Sequence, residues 1–157
     1  MEEKESAEMP DKNGIIQVGI VVKDLRESLD FYTNVIGMTE VREFSVDSSF
    51  AERSGLSRGV PFDVKVLQLL ESEYATNWKL MTFNEQPEAL VKDNIQDGIG
   101  MQYITINVKS LQPFITRMKE HGVAALGVTP VELSAGRHFI LVKDPNGIFI
   151  ELIGPLE

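Results

Sequence analysis

The chain has no cysteine. Disulfides, cysteine nucleophiles and thiolate metal sites are therefore excluded together. Histidine is scarce as well: His121 and His138 are the only two in 157 residues, so no site can rest on three imidazoles. Basic residues are in the minority, 15 Lys and Arg against 24 Asp and Glu, for a net charge of −9. Sequence-independent binding to phosphate backbones needs clustered Lys and Arg. No such patch is visible, and no nucleic-acid partner is expected. No apolar run approaches the ~20 residues of a spanning helix, so no membrane partner is expected either. No signal peptide is visible. The expected compartment is the cytoplasm, with a trimmed exported protein as the alternative.

What the chain does have is an internal repeat, which takes precedence over other signals. IVVKDL at residues 20–25 reads like INVKSL at residues 106–111. A helical pattern follows each copy and stops at a glycine, Gly37 in the first and Gly122 in the second. Two copies argue for a pseudo-symmetric globular domain rather than a solenoid. Like halves tend to leave a cleft at their seam, where small molecules bind.

The element order repeats too. Residues 15–23 read as a strand rich in Ile and Val. Asp24 is placed to cap a helix, with Glu27 three residues on. Leu25, Leu29, Tyr32 and Ile36 form its buried stripe, widened by Phe31 and Val35. Strands are predicted at 39–46, 62–70 and 76–83, with 47–61 as a loop holding at most one short helical turn. Pro87, Asp97-Gly98 and Gly100 mark a linker. The second copy opens with a strand at 101–108 and a helix capped by Ser110, with Pro113 in its first turn. Strands at 128–133, 138–142 and 148–153 follow, the last two joined by the turn Asp144-Pro145-Asn146-Gly147. The expected organisation is a charged, disordered tail over 1–13, a βαβββ unit over 14–84, a linker over 85–100 and a second βαβββ unit over 101–157. The fold class is α+β, with curved sheets around a cavity and each helix on the convex side of its own sheet.

VKDLRESLDFYTNVIGM at residues 22–38 and VKDPNGIFIELIGP at residues 142–155 resemble the first strand-to-helix junction and the final hairpin of the vicinal oxygen chelate superfamily. That group contains glyoxalase I, bleomycin-resistance proteins and extradiol dioxygenases. The resemblance spans about residues 15–155 and implies the paired βαβββ fold. It also implies four inward-facing strand positions that hold a divalent ion in metal-dependent members. Matched motif to motif, these are Gln17, Leu80, Tyr103 and Glu151. A shift of one residue on the last strand of the first unit offers Lys79 or Met81 in place of Leu80. Only Gln17 and Glu151 are ordinary oxygen donors, whereas a catalytic metal centre generally needs about three protein ligands. No cofactor is therefore expected, with a divalent metal on Gln17 and Glu151 as the alternative.

Alternation outward from these positions gives the expected lining: Gln17, Gly19 and Val21; Trp78, Leu80 and Thr82; Tyr103 and Thr105; Phe139, Leu141, Phe149 and Glu151. Trp78 is either core or a stacking wall for a flat ligand. Arg137 is either a solvated surface residue or a partner for an anionic ligand. Glu151 must be paired or protonated if buried; Tyr103 and Gln17 are candidate donors to it. It is a satisfied remnant of a metal site, a general base, or an acceptor for a ligand amine or hydroxyl. His121 reads as a surface residue favouring its helix dipole, and His138 faces away from Arg137, Phe139 and Leu141. The leading reading is a metal-free, homodimeric, bleomycin-resistance-like protein that binds a small organic molecule. The alternatives are a metal-dependent lyase or isomerase of the glyoxalase I type using Gln17 and Glu151, and an interaction module using the fold as a dimerising scaffold.

Overall fold

A computed structural model describes residues 15–157; the expected tail at 1–13 lies outside the described residues. Each half of the chain builds one four-stranded mixed sheet. In the first, β1 (Val18–Val21), β2 (Thr39–Val46), β3 (Phe62–Gln68) and β4 (Trp78–Thr82) take the order β1-β4-β3-β2. In the second, β5 (Tyr103–Asn107), β6 (Val131–Ser134), β7 (Arg137–Lys143) and β8 (Phe149–Gly154) take the matching order β5-β8-β7-β6. The first and last strands of each set pair in parallel, and the remaining pairs are antiparallel. The α+β class and the doubled strand-helix-strand order expected from the repeat are therefore present. The long segment between Thr82 and Tyr103 holds one turn of 3-10 helix, Ile95–Asp97.

Helix α1 (Leu25–Asp30) starts at Asp24, whose carboxylate accepts from the Glu27 N–H at 2.9 Å. The helix then widens into a π-helical turn, Phe31–Ile36, closed by the Gly37 N–H donating to the Tyr32 carbonyl at 3.1 Å. Gly37 has φ 94°, a left-handed conformation that glycine adopts without steric cost. Ser28, Phe31, Tyr32, Val35 and Ile36 are buried, while Leu25 and Leu29 are only partly so. These positions keep helical 3–4 spacing: Phe31, Tyr32, Val35 and Ile36 of the expected stripe are buried, and Ser28 rather than Leu25 or Leu29 continues it toward the start of the helix. Helix α3 (Gln112–Glu120) carries Pro113 in its first turn, as anticipated, and Ser110 accepts from the Gln112 N–H at 3.2 Å.

The stretch read mainly as a loop contains a real helix, α2 (Ser48–Ser54). Asp47 caps it by accepting from the Phe50 N–H at 2.8 Å, and Gly55 ends it at φ 76°. Its Ala51 packs with Phe62, Val64 and Val66 of the first sheet, joined by Val46, Met81 and Phe83.

The compact units are not the two repeats. One unites the stretch ending at Val21 with Met38–Asn84; the other unites Val22–Gly37 with Glu85–Glu157. The first repeat's helix therefore belongs with the second sheet, against the expectation that each helix backs its own. A polar network explains this. Asp144 is 4% exposed, and its carboxylate accepts from the Tyr32 hydroxyl at 2.6 Å and from the N–H groups of Asn146 and Ile148, each at 2.8 Å. Asn146 in turn accepts from the Lys23 N–H at 2.9 Å and donates to the Ser28 hydroxyl at 3.1 Å. Arg117 of α3 adds a bond from its Nε to the Val35 carbonyl at 2.9 Å. Buried polar groups are costly unless satisfied, and here the turn after β7 and the first helix satisfy each other.

Gly154 closes β8 in the same unit. A Cβ placed there would lie 2.4 Å from the Val108 carbonyl oxygen and 3.0 Å from its Cγ2. Neither the backbone nor the β-branched side chain of Val108 can give way without disturbing the parallel β5–β8 pairing. Gly154→Ala is expected to cost about 3 kcal/mol, at the upper end of overpacking penalties, measured by urea denaturation. A loss below about 0.5 kcal/mol, the range of neutral surface changes, would show that the approach relaxes freely.

Candidate functional site

The register of the second sheet gathers one set of expected site residues on one face. Thr105, Glu151 and Leu141 form a row across β5, β8 and β7. Tyr103, Phe149 and Lys143 form the next row on one side, and Asn107, Ile153 and Phe139 the next on the other. The opposite face carries Ile106, Ile140, Val142, Ile150 and Leu152, all buried. Each strand thus alternates between a packed side and a more open one. On the open side Tyr103 is 47% exposed, Glu151 is half-buried and Phe149 is buried.

Glu151 has a donor, though not one of those anticipated. The Thr105 hydroxyl gives it a hydrogen bond of 2.5 Å, in place of Tyr103 or Gln17. Alternation marks Thr105 only as lining; its position directly opposite Glu151 in the parallel register is what makes it the partner. The carboxylate keeps acceptor capacity for a second donor, because an ionised carboxylate can accept up to about four hydrogen bonds. Arg137 stands at the edge of this face, donating from Nη2 to the Asn107 Oδ1 at 3.1 Å. Lys143 lies over the Phe149 ring at 5.0 Å from its centroid and reaches the Lys92 carbonyl. His138 lies on the other face, as alternation required, with a buried Nδ1 that has no hydrogen-bond partner among the described residues. His121 is at the end of α3, with Nδ1 3.4 Å from the Asp30 carboxylate.

In the first sheet the structure corrects the expected lining. Val18 pairs with Trp78, Gly19 with Lys79, Ile20 with Leu80 and Val21 with Met81. Trp78 and Leu80 therefore share the face of Val18 and Ile20, not that of Gln17, Gly19 and Val21. Trp78 is 2% exposed and Leu80 fully buried; both are core, beside Leu67 and Ile20. Thr82 turns with them. The face that continues Gln17 and Gly19 carries Lys79 and Met81.

The repeat makes this correction exact in register. Ile20 matches Ile106, so Gly19 matches Thr105 and Gln17 matches Tyr103. The pair Gly19–Lys79 in the first sheet is thus the counterpart of Thr105–Glu151 in the second. The position equivalent to Glu151 is held by Lys79, the one-residue alternative to Leu80. The four positions that the resemblance assigns to metal ligands hold an amide and an ammonium in the first sheet, and a phenol and a carboxylate in the second. An ammonium has no lone pair to give. No three described His, Asp or Glu side chains cluster as a metal group would require. Neither the Gln17–Lys79 pair nor the Tyr103–Glu151 pair suits a divalent ion.

Among the described residues no helix is long and apolar enough to cross a membrane. No curated protein sequence matches the chain, but solved structures do. The trypanothione-dependent glyoxalase I of Leishmania major is similar at 21% identity, with a TM-score of 0.64, over 89% of this chain and 85% of that one. A glyoxalase family protein from Bacillus cereus is similar at 19% identity, with a TM-score of 0.71, over 90% and 93%. Glyoxalase I from Zea mays is similar at 19% identity, with a TM-score of 0.64, over 90% of this chain and 47% of that longer one. At these identities the likeness speaks for the fold. The family model that matches residues 14–152 agrees with the repeat, the strand order and the junction motifs: the chain belongs to the glyoxalase/bleomycin resistance protein/dioxygenase superfamily.

Proposed function

We propose that this protein binds a small organic molecule on the sheet faces that carry Gln17 and Glu151, without a catalytic metal, as a bleomycin-resistance-like sequestering protein does. The observation that carries this reading is the donor set on the strands: Gln17 and Lys79 in one sheet, Tyr103 and Glu151 in the other. Such groups are suited to hydrogen bonding an organic ligand rather than coordinating an ion. Apolar neighbours support it, because ligand sites combine apolar lining with a few convergent polar groups. Phe139, Leu141 and Phe149 surround Glu151 in the register, and Arg137 stands at the edge. Glu151 serves as the acceptor for a ligand hydroxyl or amine, oriented by Thr105. The metal-dependent lyase or isomerase alternative rests on Gln17 and Glu151 alone. In this reading the protein acts as a homodimer, and light scattering at micromolar concentration checks the mass.

A thermal-shift screen of small organic molecules tests the proposal. A ligand at 100 times its Kd stabilises the native state by about 2.7 kcal/mol, which raises Tm by several degrees. Glu151→Gln is expected to weaken genuine ligands at least tenfold, and Thr105→Val severalfold, since a charge-assisted hydrogen bond is worth about 1.5–3 kcal/mol. Hits that bind Glu151→Gln as well as the unaltered protein would remove Glu151 from the site. A screen with no hits would remove the proposal.

A further inference from the structure

The first sheet sorts its charges by face. Lys65 lies on the side of Leu67 and Leu80 and is bracketed by Glu40 at 3.1 Å and Glu43 at 2.5 Å. Those two carboxylates raise its pKa above the ordinary lysine value. Asp63 falls on that side too, held by the Ser45 hydroxyl at 2.5 Å. The opposite side has the reverse character. Arg42 of β2 and Lys79 of β4 fall in one row with Val66 between them. Neither has an ion-pair partner among the described residues, in a chain whose net charge is −9.

Both cations converge on one aromatic ring. Arg42 Cζ is 5.7 Å and Lys79 Nζ 6.0 Å from the centroid of Phe44, which is itself 38% exposed. Phe44 shares its row with Val64 and Met81, which pack with Ala51 of α2, so the charges stand at the margin of an apolar cluster and Phe44 is its exposed ring. On the far side Lys79 is flanked by Gly19, which offers no side chain to cover it. Cation–π contact is worth only about 0.5–1 kcal/mol at exposed positions. It does not neutralise two like charges held around one ring, and an anion placed between them would.

The geometry points to a binding subsite on this face for a flat aromatic ligand bearing a carboxylate or phosphate. Arg42 offers a planar fork matched to either oxyanion, Lys79 supplies a second positive charge, and Phe44 receives the ring by stacking. Glu40 and Glu43, the acidic residues of β2, are on the other side of the sheet. This subsite rests on the small-molecule reading above and specifies the ligand's charge.

The test is a chemical-shift titration of the full chain, labelled with nitrogen-15, using 2-naphthoate, 2-naphthyl phosphate and the neutral 2-naphthamide at low salt. At least one of the two anions is expected to shift amides of residues 39–46 and 78–82, and to bind at least tenfold more tightly than the amide. Arg42→Met and Lys79→Met should each weaken that anion about tenfold and leave the amide unchanged. Lys79→Gln serves as a second neutral variant, and unshifted amides elsewhere report that each variant is folded. Preference for one anion identifies the oxyanion the fork selects. Equal binding of anion and amide, or anion binding that survives both substitutions, would overturn the subsite. Shifts confined to residues 103–107 and 149–154 would also overturn it while leaving the Glu151 reading standing. Failure of all three probes overturns the subsite alone, because the wider screen tests that reading separately.

Discussion

Replacing Asp144 with alanine is expected to destabilise the protein by about 3–5 kcal/mol, the cost of removing one member of a buried, fully hydrogen-bonded polar group. The carboxylate is 4% exposed and satisfies the Tyr32 hydroxyl, the Asn146 and Ile148 N–H groups and the Asn146 side-chain amide. Its loss strands several donors where water does not reach them. Tyr32→Phe removes one donor and keeps the ring, which packs edge-on against Phe31 at 5.1 Å between centroids; it should cost about 1–2 kcal/mol. Asp144→Asn should fall between the two, because one oxygen still accepts. Urea denaturation of the three variants gives the order directly. An Asp144→Ala loss under about 1 kcal/mol would mean that the network contributes specificity rather than stability.

Protein purified without chelator should hold well under one equivalent of nickel, zinc, iron or manganese. The strand positions in question carry Gln17, Lys79, Tyr103 and Glu151, and only Glu151 brings a negative charge. Each replacement of an imidazole or carboxylate removes both a bond and part of the charge that holds a divalent ion. Lys79 goes further by placing a positive charge at the position equivalent to Glu151. Added ions should therefore shift Tm by less than about 1 °C, since a ligand stabilises only in proportion to its affinity for the native state. Elemental analysis with near-stoichiometric metal that Glu151→Gln abolishes would reverse this reading and move the lyase or isomerase to first place.

How legible each part was depended on how sharply local chemistry marked it. The Asp24 cap, the Gly37 stop and the turn at Asp144-Pro145-Asn146-Gly147 each carry a residue whose physics permits few other placements, and they appear where expected. The strands of the second sheet alternate cleanly, so Tyr103, Thr105, Phe139, Leu141, Phe149 and Glu151 were placed on one face from sequence. The β4 strand misled because Trp78, Leu80 and Met81 are all apolar, leaving Lys79 as its only charged residue. That lone charge, read against the repeat, was the available signal. The sequence also marked α2, through Asp47 before it and Gly55 after it. The π-helical turn had no such mark, since Phe31 and Tyr32 would fit an α-helix equally well. Arg42 and Phe44 alternate on β2, but their meaning depends on Lys79 arriving from two strands away.

The hydrogen bond from Tyr32 to Asp144 spans 112 positions of the chain. During synthesis, at ~5–20 residues per second, the tyrosine is added roughly 6–22 s before its acceptor. For that interval the first helix has its caps but not its buried partner, and an isolated helix of this length is marginal in water. The first repeat's helix therefore cannot reach its buried state before the second half is made. A ribosome paused between residues 84 and 144 would hold a sheet whose own helix is waiting for a turn not yet made, and cutting the gene at the boundary of the repeat would give two fragments that each lack what the other encodes.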